Sequence, residues 1–219
     1  MFSLKKVLSF IHPEGWKFAL ISIFISTLFF FIWLPIAILG CFITVFIIWF
    51  FRDPERITPS VSGAVYSPAD GVICLIDESL PPLESGLEAV MMKRVCVFMN
   101  VFNVHVNRSP IEGKVKKIAY TKGSFINASL DKASEKNERN ALVIQTKENI
   151  EIVVVQIAGL IARRILSFIN DGHRLKAGER FGLIRFGSRV DVYLPINAKI
   201  DCGLNQKVVA GESILASLS

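Results

Sequence analysis

A β-rich α+β domain, carried behind an N-terminal helical hairpin built for a membrane, is the architecture this sequence predicts. Three observations predict it. Residues 18–51 contain no charged side chain. After Arg52 the apolar residues come in short runs broken by glycine and proline, the pattern of many strands rather than a few long helices. The apolar excess is also uneven. The whole chain of 219 residues is 52% hydrophobic with a mean hydropathy of +0.47, too apolar for an ordinary soluble protein, yet residues 53–219 read as a single soluble domain large enough to enclose its own core.

The elements follow in order. Residues 1–17 carry Lys5, Lys6 and Lys17 and read as a short interfacial segment. As one straight helix, residues 18–51 would extend about 50 Å against a hydrocarbon layer of about 30 Å, so a turn is expected near Pro35, beside Trp33. Each half is then at the short limit for a span. Trp16, Trp33 and Trp49 fall near the ends of the halves, where indoles favour the interface. Lysines precede the apolar stretch and Arg52 and Arg56 follow it. The positive-inside rule therefore predicts a transmembrane hairpin over residues 1–52 in the cell membrane, with both flanks and the following domain on the cytoplasmic side. One kinked span, with the domain outside, is the competing arrangement. The apolar run is too long, and lacks the small-residue site, for a cleaved signal peptide.

In residues 53–219, strands are expected at Val72–Ile76, Arg94–Met99, Gly113–Tyr120, Leu142–Thr146, Ile150–Gln156, Leu183–Arg185, Val190–Leu194, Lys199–Cys202 and Ile214–Ala216. One helix is expected over Ile157–Ile169, either packed on the sheet or dipping into the lipid interface. Residues 123–140, polar and without period, read as a long loop, and long loops in compact domains are often functional.

Composition narrows the function. The net charge of +6 is spread through mixed-sign segments without an aromatic-basic ribbon, which fits an anionic membrane surface better than nucleic acid. The four cysteines, Cys41, Cys74, Cys96 and Cys202, form no C-x-x-C pair, and the three histidines, His12, His105 and His173, share no ligand spacing. No disulfide framework, zinc site or other metal is expected.

Three stretches could carry chemistry. Tyr66-Ser67-Pro68-Ala69-Asp70-Gly71 has the composition of a turn, in which aspartate is favoured for local reasons. Val104-His105-Val106-Asn107-Arg108-Ser109-Pro110 follows an apolar strand. Its histidine is either a satisfied structural residue or a base poised near neutral pH. Arg185-Phe186-Gly187-Ser188-Arg189 leads into the strand Val190–Leu194. Gly187 permits close approach to its carbonyl and Ser188 sets a hydroxyl beside it, although a bare glycine-serine pair is ordinarily a turn with a solvated serine.

The run Gly178 to Pro195, GERFGLIRFGSRVDVYLP, resembles the cleavage region of the short, membrane-bound phosphatidylserine decarboxylases. The resemblance extends over essentially the whole chain. It includes Ser67-Pro68-Ala69-Asp70-Gly71, and Asn127, Lys132 and Asn137-Glu138-Arg139 in the polar loop. The family often shows two histidines three residues apart; here His105 stands alone, and Arg108 occupies the place of the other. The resemblance implies that His105, oriented by Asp70, takes the proton of Ser188, whose oxygen attacks the carbonyl of Gly187. β-Elimination would then split the chain into 1–187 (β chain) and 188–219 (α chain), associated as a heterodimer, and residue 188 would become a covalently bound pyruvoyl cofactor. That group would form a Schiff base with phosphatidylserine in the membrane and release CO₂ and phosphatidylethanolamine. Arg108, Arg189 and Lys132 are the candidates for binding the substrate phosphate or carboxylate.

Two other functions fit parts of the chain. Ser109–Val115, Asp171–Glu179 and Gln206–Glu212 look like turns of lipoyl-type modules, which suggests a membrane-anchored adaptor or carrier without catalysis. However, no lysine sits in the expected hairpin. A pyruvoyl decarboxylase of a soluble amino acid would leave the apolar N-terminus unexplained.

Overall fold

The computed structural model describes residues 10–124, 136–159, 164–185 and 188–218. They form two compact units, residues 1–55 and 56–219.

In the first unit, α1 (Pro13–Phe30) and α2 (Leu34–Phe50) run antiparallel. Pro35 falls in the first turn of α2, where its missing N–H is harmless. The open ends are tied by hydrogen bonds from His12 N to Phe51 O (2.8 Å) and from Asp53 N to Phe10 O (2.7 Å). The seam is small and polar. Ser22 Oγ donates to Gly40 O (3.4 Å) and accepts from Thr44 Oγ1 (2.8 Å). A Cβ on Gly40 would lie 2.1 Å from Ser26 Oγ, so glycine is what lets the helices approach. The outward surface is apolar, with Phe24, Phe31, Ile32 and Phe42 each well exposed. The hairpin is present where the sequence predicts one, but the expectation that it crosses a membrane is not supported: no helix among the described residues is long and apolar enough to do so. The reason is length and charge. α2 has 17 residues, about 26 Å at 1.5 Å per residue, and α1 begins with Glu14 and Lys17.

The second unit is built on an eight-stranded sheet in the order β13-β2-β3-β11-β7-β6-β5-β9. These strands are β2 (Gly71–Ser79), β3 (Met92–Met99), β5 (Gly113–Thr121), β6 (Arg139–Gln145), β7 (Glu151–Ala158), β9 (Arg174–Leu175), β11 (Ser188–Leu194) and β13 (Lys207–Val208). Two three-stranded sheets complete it. In one, β14 (Ile214–Ser217) lies between β1 (Ala64–Tyr66) and β12 (Lys199–Ile200); in the other, β10 (Arg180–Ile184) lies between β4 (Val106–Arg108) and β8 (Ile165–Ser167). All the pairings between these strands are antiparallel.

β11 is central, and every one of its residues is buried. Alternation splits it between faces. Val190, Val192 and Leu194 join the main core, while Tyr193 joins a second cluster with Val153, Val155 and Ile157. This double burial also explains the failure of the expected helix over Ile157–Ile169. Residues 157 and 158 continue β7, which pairs β11 on one side and β6 on the other, and residues 165–167 form β8. A strand buried on both faces reads as a continuous apolar run without period two. Residues 160–163 of that stretch, and most of the expected loop (125–135), lie outside the described residues.

Candidate active site at the head of a central strand

Ser188 is the first residue of β11, set opposite Met99 at the end of β3 and Ala158 at the end of β7. Both neighbours belong to the main core, so its hydroxyl faces an apolar wall. Ser188 Oγ is buried and has no hydrogen-bond partner among the described residues. An unpaired buried hydroxyl costs about 1–3 kcal/mol, which alanine would avoid at the same position. Its presence therefore asks for a chemical reason.

His105, fully buried, lies between β3 and β4. Its carbonyl accepts from Ile184 N (3.2 Å), which ties it to the segment just upstream of Ser188. The ring Nδ1 lies 2.9 Å from the carbonyl oxygen of Asn103. A carbonyl can only accept, so Nδ1 carries a proton in this bond. Asn103 is itself fixed: Asn100 N donates to its Oδ1 (2.9 Å) and Asn103 N donates to Asn100 O (3.1 Å).

Asp70 immediately precedes β2. Its Oδ1 accepts from Ala210 N (2.8 Å) and its Oδ2 from Arg56 Nη2 (2.8 Å). Among the described residues no hydrogen bond joins Asp70 to His105, so the carboxylate expected to orient the imidazole is occupied elsewhere and the Asn103 carbonyl holds the ring. Gly71 is required for contact rather than for turning: a Cβ there would lie 2.2 Å from the Phe98 carbonyl oxygen.

The cations expected to bind substrate are engaged in the interior. Arg189 points to the face opposite Ser188 and meets Asp191 through two bonds, Nε to Oδ1 (2.7 Å) and Nη2 to Oδ2 (2.8 Å). Burial opposes the charge of Arg189, but Asp191 outweighs it and the guanidinium pKa is raised. Burial and then Asp191 push the neighbouring Cys96 thiol well above its ordinary range, which leaves it inert. Arg108 Nη1 donates to Gly178 O (3.0 Å). Lys132, Asn127 and Gly187 lie outside the described residues.

Asn137 and Glu138, within the polar stretch, do reach the site. Asn137 Nδ2 donates to the carbonyl of Ala158 (2.7 Å), and Ala158 N donates to Glu138 O (2.9 Å). The end of β7 beside Ser188 is thereby held through both the N–H and the carbonyl of Ala158. Spacing gave no hint of Asn103 or Arg56. Gln156 offered a signal, as the one polar side chain in the strand Val153–Ala158.

A serine set in the core at the head of a central strand, with the His105 backbone tied to the segment just upstream of it, marks a β protein whose candidate site is centred on that serine. The chain belongs to the phosphatidylserine decarboxylase family: residues 43–216 match that family's model, described as phosphatidylserine decarboxylase. It is similar to the phosphatidylserine decarboxylase proenzyme of Ruegeria pomeroyi, with 52% identity over 207 residues covering 94% of each chain. It is similarly 52% identical over 208 residues to the proenzyme of Cereibacter sphaeroides, covering 95% of this chain and 90% of that one.

Proposed function

We propose that this chain is a self-processing decarboxylase that converts phosphatidylserine to phosphatidylethanolamine and CO₂ with a pyruvoyl group made from Ser188. The observation that carries the reading is the buried Ser188 hydroxyl with no partner among the described residues, in a chain of the family whose relatives are named proenzymes. The residues around it fit such a group: it arises from the side chain already there, between Met99 and Ala158.

In maturation, His105 Nε2 takes the Ser188 Oγ proton and the oxygen attacks the carbonyl carbon of Gly187. The bond to the Ser188 nitrogen breaks, and that nitrogen takes up a proton. Loss of the Cα proton of residue 188 then expels the Gly187 carboxylate as the end of chain 1–187. Hydrolysis at residue 188 releases ammonia. Asp70 secures the turn ahead of β2 through Arg56 and Ala210. Once present, the pyruvoyl group supplies the electron sink for the pair left when CO₂ departs. Arg108, Arg189 and Lys132 are the proposed cations for substrate, with Arg189 the weakest because Asp191 already holds it on the other face.

Intact mass and a denaturing gel test the maturation, and CO₂ release from phosphatidylserine vesicles against free serine tests the substrate. One uncleaved band without CO₂ release would favour an adaptor module.

The apolar hairpin is proposed to seat in the cell membrane, with the domain on the cytoplasmic side. Its exposed phenylalanine and isoleucine surface supports this, and its helices are short enough that the bilayer must thin or the flanking cations must reach outward. The exposed thiol of Cys74 reports the side. A membrane-impermeant maleimide leaves it unmodified in intact cells and modifies it after permeabilisation. Labelling in intact cells would put the domain outside.

A further inference from the structure

Three amides form a buried chain beside Ser188. Asn140 Nδ2 donates to Gln156 Oε1 (3.0 Å), Gln156 Nε2 donates to Asn107 Oδ1 (2.8 Å), and Asn107 Nδ2 reaches Pro68 O (3.4 Å) and Met99 Sδ (3.6 Å). All three side chains are buried. The direction of the chain is forced. A carbonyl oxygen can only accept, so Pro68 orients the Asn107 amide, Asn107 then presents its oxygen to Gln156, and Gln156 presents its oxygen to Asn140. The Asn107 end lands on the site. Met99 is the register partner of Ser188, Pro68 lies two residues before Asp70, and Asn107 lies two residues after His105. Gln156 is one pleat along β7 from Ala158, the other partner of Ser188. Room for it is made by Gly182, where a Cβ would lie 2.8 Å from Gln156 Nε2.

We infer that the Asn140–Gln156–Asn107 chain is a positioning element for the self-processing reaction, holding β4, which follows His105, and the Pro68–Asp70 turn in register with Ser188, with Gln156 as its hub. This rests on the reading of Ser188 as the self-processing residue. Gln156 must both accept and donate, which an amide does and a carboxylate does not. A protonated carboxyl does both. Among the described residues, the groups placed against Gln156 are Asn140, Asn107, Val190 and Gly182, none of them titratable. A carboxyl introduced there is surrounded by amides and apolar groups, and desolvation keeps it protonated to higher pH than in water.

The test follows cleavage of the full chain in phospholipid vesicles on a denaturing gel from acid to alkaline pH, with melting of each variant measured alongside. Gln156→Glu is expected to cleave slowly relative to wild type at alkaline pH and to approach wild type as pH falls. Gln156→Leu is expected to be slower by about tenfold or more at every pH, the effect of one lost buried hydrogen bond on the aligned state. A pH-independent ratio for Gln156→Glu, wild-type cleavage by Gln156→Leu, or slowing that merely follows a fall in melting temperature would overturn the inference. If Gln156→Leu does not fold, Gln156→Glu at acid pH, where its hydrogen bonds are intact, decides alone. A wild-type chain that never cleaves would instead remove the functional reading beneath.

Discussion

Ser188→Ala is expected to leave one uncleaved chain with no decarboxylase activity, and to leave the fold at least as stable as before. The two halves of that result separate a chemical serine from a structural one. A structural serine would lose a hydrogen bond on substitution and the protein would melt earlier. Here Ser188 Oγ has no bond to lose among the described residues, and removing a desolvated, unpaired hydroxyl relieves about 1–3 kcal/mol. The loss of function is total because no other hydroxyl opens β11. The measurement is the band pattern and intact mass together with thermal melting. Normal two-chain processing in the variant would rule out the cleavage site.

The second large effect is at His105. His105→Gln keeps an N–H able to reach the Asn103 carbonyl but provides no base, and His105→Ala removes both. Both are expected to accumulate uncleaved chain, since general-base assistance is typically worth about 10²- to 10⁴-fold. Arg108 cannot take over, because a guanidinium remains protonated at any physiological pH and its Nη1 is given to Gly178 O. If either variant cleaves at the wild-type rate yet releases no CO₂, the imidazole acts only in the later chemistry. If it also decarboxylates normally, His105 returns to a structural role.

Period and punctuation made most of the β domain legible. The strands around Val95, Ala119, Ile144 and Val154 lie where alternation and turn residues place them, because each is bounded by polar or glycine-containing links. Short strands were missed. Val106–Arg108 and Lys207–Val208 are too brief for a period to show and exist through their neighbours. The helix expected at Ile157 failed because burial on both faces erases the alternation that distinguishes strand from helix. Arg189 read as a cation suited to substrate, yet Asp191 neutralises it inside the sheet. At the site, Ser188 and His105 were visible as residue types in a specific motif. The group that holds the imidazole was not, since Asn103 acts through its backbone carbonyl, which every residue possesses.

The place of β11 has a further consequence. Residues 188–218 contribute β11 between β3 and β7, β14 between β1 and β12, and β13 at the flank of β2. A chain severed ahead of Ser188 would therefore have its shorter piece threaded through the middle of the larger one. Parting the pieces would require opening the central sheet, so dissociation and global unfolding would be one event. Once apart, the pieces would have to find each other by diffusion, where the intact chain refolds within a single molecule. Maturation would thus turn a protein that can renature at any dilution into one whose endurance is a matter of its unfolding barrier.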